Sequence, residues 1–256
     1  MQKINENIYR LTLPYKDIFA TVYAIKTKNG VLLFDVGSFD EDIDNYIIPF
    51  LNELNITADM IKYVFISHDH KDHSGGLNAF MKKFPKTCII STSPFLKERY
   101  INYNVLTPND GDIVLDVFKI ITITGHTNDS IAVLDMRTKT LISGDCLQLY
   151  GIIGSGKWAC NISFPKEHID AINKLRTIDI EHILTAHDYY PYGYSYIGKD
   201  NVSKALDACV SPLYFIKDLI SNNPTLDDEQ ICSIYNSDNK PKLGAHVVNA
   251  IRNNLK

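Results

Sequence analysis

An α+β fold with a helical C-terminal extension is predicted for this 256-residue chain. Three observations carry the prediction. Short apolar runs rich in β-branched and aromatic residues recur up to about residue 190, with helical patterns between them. Histidine and aspartate residues gather where several of those runs end. Past about residue 200 the strand pattern stops and only helical spacing remains.

Taken in order, Asn7–Leu11 and Ala20–Ile25 read as strands. Asn29-Gly30 is a strong hairpin signal, and Val31–Phe34 is the return strand, ending at Asp35-Val36-Gly37. Residues 40–55 place Ile43, Tyr46, Ile47, Phe50, Leu51 and Leu54 at helical spacing. Ile61–Ile66 reads as a buried strand. It delivers Ser67-His68-Asp69-His70-Lys71-Asp72-His73-Ser74-Gly75-Gly76, and Leu77–Lys83 follows as a short helix. A strand over 87–91 and a helix over 94–102 come next, with Pro94 suited to a first helical turn. Val117–Ile123 leads into Thr124-Gly125-His126-Thr127. Ile131–Asp135 and Thr140–Ser143 are short strands, the second ending at Gly144-Asp145. Residues 166–177 are helical, and Ile180–Thr185 is a strand ending at Ala186-His187-Asp188. Helices over 201–220, 226–236 and 243–255 complete the chain, with no internal repeat or low-complexity segment.

The histidine stretch carries the chemistry. Side chains at i and i+2 of an extended chain point the same way, so His68 and His70 can reach one ion together. The chain then turns, and Asp72 and His73 can face a second. Gly75 and Gly76 suit a tight turn and close helix packing because they lack a Cβ. A polar surface loop is the bland reading. Three of the eight histidines fall within six positions at the end of an apolar strand, which favours metal binding. Histidine and carboxylate are donors that Zn, Mn and Fe(II) accept.

Composition sets outer bounds. A formal charge of −4 and a pI near 6.0 argue against a nucleic-acid surface. The first seven residues are polar and lack the apolar core of a signal peptide, and no run suits a membrane span. Five scattered cysteines without a CxxC pair suit free thiols in a reducing cytoplasm. Abundant Ile, Asn and Lys suggest an AT-rich bacterial source.

As a set, the His-x-His-x-Asp-His block, Gly125-His126-Thr127, Gly144-Asp145 and the strand-end His187 resemble the metallo-β-lactamase superfamily, in that family's order. Asp35-Val36-Gly37 resembles its early Asp-x-Gly element. The resemblance implies an αββα sandwich, two sheets face to face with helices outside. It covers roughly residues 5–190, and with the purely helical pattern beyond about residue 200 the chain divides into a catalytic domain over 1–198 and a helical extension over 199–256. It also implies a binuclear site. One ion takes His68, His70 and His126, the other takes Asp72, His73 and His187, and Asp145 bridges them. Two divalent ions are expected, zinc first, with Mn or Fe compatible with the same donors.

The implied activity is a metal-dependent hydrolase using a metal-bridging hydroxide, with an ester, thioester or lactone favoured, as in glyoxalase II-like and lactonase-like members. Asp72 is the candidate catalytic residue, as ligand and proton carrier. Asp35, Ser67 and Thr127 are candidates for orienting the ligands, and Tyr150, Trp158 and Tyr190 for contacting substrate. Cys146 suits a buried apolar position, and His168, His182 and His246 suit helix or surface. True β-lactamases of the superfamily are secreted and lack the bridging aspartate, so antibiotic hydrolysis is disfavoured. Lactonase-like members carry a tyrosine three residues after that aspartate, where this chain has Gln148. Two alternatives stay open: a phosphodiesterase acting on a small nucleotide or nucleic acid, and an iron-dependent, dioxygenase-like redox enzyme. A small-molecule substrate without a membrane partner is expected, and a homodimer stays open.

Overall fold

The computed structural model describes residues 1–148, 161–189, 193–238 and 243–255. The chain forms two compact units, Met1–Ile121 and Thr122–Lys256.

The first unit is built on a seven-stranded sheet whose spatial order follows the chain. Its strands are β1 (Gln2–Lys3), β2 (Ile8–Tyr15), β3 (Ile18–Thr27), β4 (Gly30–Phe34), β5 (Ile61–Phe65), β6 (Cys88–Ile90) and β7 (Val105–Leu106). Pairing is antiparallel from β1 to β4 and parallel from β4 to β7. The β3–β4 hairpin forms at the Asn-Gly signal, but Gly30 pairs with Thr27, so Lys28 and Asn29 make the turn. Parallel connections need crossovers, and helices supply them. Asp40–Asp42 (α1), a π-helical turn over Ile43–Ile47 and Ile48–Glu53 (α2) join β4 to β5. The periodic stretch is therefore helical but not one uniform helix. Lys71–Ser74 (α3) and Leu77–Lys83 (α4) join β5 to β6, and Pro94–Arg99 (α5) joins β6 to β7.

One face of this sheet packs Leu11, Val22, Leu33 and Val64 against Ile47, Phe50, Leu77 and Phe80 of the helices. The other face is buried too, with Phe34 stacked on Phe65 at 4.9 Å and Tyr23 edge-on to Phe34 at 6.3 Å. Burial on both faces explains why Val31–Phe34 is a continuous apolar run rather than an alternating one. A short antiparallel pair, β8 (Ile113–Val114) with β9 (Phe118–Thr122), lies at the end of this unit.

The second unit holds β10 (Ile131–Asp135), β11 (Thr140–Ile142), α6 (Pro165–Arg176), β12 (His182–Tyr189) and β13 (Gly193–Ile197), followed by α7 (Lys199–Asn222), α8 (Asp228–Asp238) and α9 (Ala245–Asn254). Strand order is β13-β12-β11-β10. Helix α7 packs on α6, α8, α9, β12 and β13, so the three C-terminal helices belong to the same compact unit as these strands. Strand β12 begins and ends two to four residues later than its apolar run suggested. Its pairing with β13 shifts register between Leu184 and Tyr189, and His187 lies inside that shift. A bulge bends the strand and re-aims its side chains, which makes it a common site device.

His168 lies on α6 and is fully buried. Burial pushes its imidazole down to about 4, with the Cys209 backbone acting the other way. The unfolded chain binds that proton more readily. His168 therefore favours the fold above about pH 6.5, and the contribution, on the order of 3 kcal/mol, disappears as pH falls to about 4. His168→Leu should flatten the pH dependence of urea-unfolding stability between those values. No helix among the described residues is long and apolar enough to cross a membrane.

Candidate metal centre

In the first unit, β5 ends at Phe65 and hands the chain to Ser67 and His68, which are buried. His68 Nε2 lies 2.9 Å from His70 Nδ1, so the i, i+2 pair points to one place. The His68 and His73 rings approach to 4.3 Å between centroids. His73 Nε2 lies 3.5 Å from Asp72 Oδ2. Four donor side chains therefore gather at the start of α3.

Asp35 holds this group from behind. It follows β4, is fully buried, and sits at φ +59, in the left-handed region. Non-glycine residues seldom adopt that conformation unless their surroundings impose it. Here the Asp35 amide donates to the Phe65 carbonyl, and its Oδ1 accepts from the Ser67 amide at 2.8 Å. Its Oδ2 accepts from Ser67 Oγ at 2.9 Å and lies 2.8 Å from His73 Nδ1. Ser67 Oγ is in turn 3.1 Å from His68 Nδ1. One carboxylate thus orients two imidazoles, leaving their Nε2 atoms on the donor side. Burial raises the Asp35 pKa, and His73 and Ser67 oppose that rise. Asp35→Ala should lower metal affinity about 10–100-fold, the usual cost of losing such a support. A chelator-competition titration reads it.

Asp69, between the first two histidines, points elsewhere. It accepts from Ser74 Oγ at 3.1 Å and from Ser93 Oγ at 3.2 Å. Ser93 also caps α5, accepting from the Leu96 amide. Asp69 therefore ties the motif to the next helix.

The second unit presents His126, Asp145 and His187, all buried. Asp145 follows β11 after Gly144, whose φ is +54. Its Oδ1 lies 3.1 Å from His187 Nε2 and its Oδ2 lies 3.6 Å from His126 Nε2. Each carboxylate oxygen faces one imidazole, as suits a group shared between two ions. His126 Nδ1 donates to the Asn161 carbonyl at 2.6 Å, which directs Nε2 toward Asp145. Gly125, at φ +144, accepts from the Ser163 and Phe164 amides. A Cβ at Gly125 would lie 2.5 Å from the His168 Cβ, so glycine is required where α6 passes beneath the His126 turn. Thr127 Oγ1 is 2.7 Å from Ser130 Oγ, a contact within that turn. Cys146 is buried. His182 is on β12, and His246 lies in the first turn of α9. Tyr150, Trp158 and Tyr190 lie outside the described residues. The Asn161 carbonyl and the support of His168 had no readable signal, whereas Gln148 stands where lactonase-like members carry a tyrosine.

The donors fit divalent metals on their own chemistry. Histidine ring nitrogens and carboxylate oxygens within 4.8 Å of one another occur as His68 with His70, Asp72 with His73, and Asp145 with each of His126 and His187. Imidazole and carboxylate suit Zn, Mn and Fe alike.

Known proteins agree with this chemistry. Residues 15–93 match the model of the metallo-beta-lactamase superfamily.

The segment includes Asp35, Ser67 and the four donors of the first unit. Hydroxyacylglutathione hydrolase 1 of Vibrio vulnificus (strain YJ016) is 24% identical over 170 residues, 66% of this chain and 62% of its own length. The chain thus spans under two thirds of that relative. Among solved structures, rubredoxin oxygen:oxidoreductase from Desulfovibrio gigas aligns with a TM-score of 0.66 and 19% identity, over 82% of this chain and 60% of that one. VMB-1 aligns with a TM-score of 0.62 and 17% identity, over 82% and 96%. These likenesses establish the fold: two sheets with helices, as in the αββα sandwich of metallo-beta-lactamases.

Proposed function

We propose that the chain is a binuclear metal-dependent hydrolase acting on an ester, thioester or lactone. The observation that carries the proposal is Asp145, whose two oxygens each face a histidine Nε2, at 3.1 and 3.6 Å. His68, His70 and His126 would hold one divalent ion and Asp72, His73 and His187 the other, with Asp145 shared. When bound, two such ions polarise a scissile carbonyl and lower the pKa of water from 15.7 toward about 7. Asp72 orients the attacking water and takes up its proton. It is partly exposed beside His73, whereas Asp35 is fully buried and holds His73 in place. The hydroxyacylglutathione hydrolase relative supports a thioester as the first substrate class to try. Five scattered cysteines with no CxxC pair suit a reducing cytoplasm.

The test begins with elemental mass spectrometry on protein purified without chelator or an affinity metal. About two Zn or Mn ions per chain, with hydrolysis in ester, thioester and lactone panels, support the reading. Two ions with cleavage confined to phosphodiesters transfer the centre to the phosphodiesterase class. Iron, with oxygen consumption and no hydrolysis, replaces the hydrolase with a redox enzyme. Protein that neither carries nor takes up metal rejects the centre.

A further inference from the structure

We infer that Gln148 is a positioning residue that ties two metal-centre side chains of the second unit together through one buried amide. Gln148 is 2% exposed. Its Nε2 donates to the Asp145 carbonyl at 2.9 Å. Its Oε1 accepts from the Asn161 amide N–H at 2.8 Å. The carbonyl of that same Asn161 accepts from His126 Nδ1 at 2.6 Å. The path runs Asp145 backbone, Gln148 side chain, Asn161 backbone, His126 ring, with a donor and an acceptor correctly matched at each step. The path fixes two things at once. It sets the Asp145 backbone, and it sets His126 as the Nδ1–H tautomer whose Nε2 faces the Asp145 carboxylate. Asn161 is also held from α9, where His246 Nε2 lies 3.2 Å from its Oδ1.

Only an amide of this length performs both tasks. A tyrosine has one polar atom. A methionine fills the space but offers no donor and only a weak acceptor. An asparagine keeps both groups and is one methylene too short to reach both partners. Loss of either bond removes a partner from the buried Asp145 carbonyl or from the partly buried Asn161 amide, and the chain answers by moving that group. The moving groups here carry His126 and Asp145.

The inference concerns the metal centre proposed above, and its test separates the two. His126 ring-nitrogen shifts are measured by NMR on metal-free wild type and Gln148→Met. Metal affinity of both proteins is then measured with a chromophoric chelator. The expected results are a single Nδ1–H tautomer in the wild type and a tautomer mixture in Gln148→Met. Affinity for at least one ion should drop about 10–100-fold. Gln148→Asn should fall between, and it carries the test if Gln148→Met does not fold. An unchanged tautomer and unchanged affinities in a folded variant overturn the inference and leave the centre standing. A tautomer change in a protein whose wild type takes up no metal supports the positioning role and rejects the centre.

Discussion

Asp145→Asn should abolish the proposed metal binding and the proposed hydrolysis together. The substitution keeps the shape and removes the charge. Asp145 is buried and faces His187 Nε2 and His126 Nε2 with separate oxygens. An asparagine would present an NH2 group to one of them, and that nitrogen cannot act as a donor to a cation. Removing a residue that merely supports a ligand costs about 10–100-fold, so removing a shared carboxylate should cost on the order of 10³-fold or more for at least one ion. Chelator competition and elemental analysis give the affinity and stoichiometry, and initial rates on the best substrate give the activity. Far-ultraviolet circular dichroism of the metal-free variant should match wild type, since the side chain lies beyond β11 and contributes to no strand pairing. A variant that keeps two ions and the wild-type rate would remove Asp145 from the centre.

Gly75→Ala should be among the most destabilising single substitutions in the first unit. The Gly75 backbone is ordinary right-handed helix, so conformational strain is not the issue. Space is. A Cβ there would lie 2.0 Å from the Ser38 carbonyl oxygen and 2.4 Å from that of Lys71. Both are backbone atoms and cannot swing aside as a flexible side chain would. Gly76 meets the Val36 carbonyl oxygen at 2.5 Å in the same way. The crowding arises because Val36 and His73 are joined, the Val36 amide donating to the His73 carbonyl at 2.9 Å. Relief requires the loop after β4 to move away from α3, which carries Asp72 and His73. The expected loss is about 3–5 kcal/mol, the upper end for a point substitution. Metal affinity should fall as well. Denaturant unfolding of the metal-free protein isolates the stability effect. A variant within about 1 kcal/mol of wild type would mean that the contact between these backbones is not tight.

Much of the fold was legible because its signals are local. The apolar runs at Val31–Phe34, Ile61–Phe65 and Ile131–Asp135 became strands, and Leu77–Lys83 became a helix with the expected bounds. The Asn-Gly signal located the first hairpin. The less legible pieces were short or depended on distant partners. Strands β1, β7 and β8 have two residues each, too few for any periodicity. Strand β13 has the sequence Gly-Tyr-Ser-Tyr-Ile and is a strand because β12 offers it an edge. Nothing in the pattern of residues 40–55 marks the π-helical turn over Ile43–Ile47.

The amino-acid sequence by itself determined which side chains can donate to a metal. It also determined how His68 and His70 share a direction, because two residues along an extended chain restore the same face. It determined that glycine stands at Gly75 and Gly76, where backbones meet. Tertiary structure alone decided what aims those donors. A backbone carbonyl looks alike in every residue, so Asn161 cannot be recognised as the partner of His126 until β11 and α6 are in place. The register shift in β12 decides where His187 points, and pairing with β13 creates that shift. Asp35 becomes the support of His68 and His73 because parallel pairing of β4 with β5 sets the ends of the two strands side by side. Donor chemistry is a property of residue type, whereas orientation is a property of contacts between segments far apart in the chain.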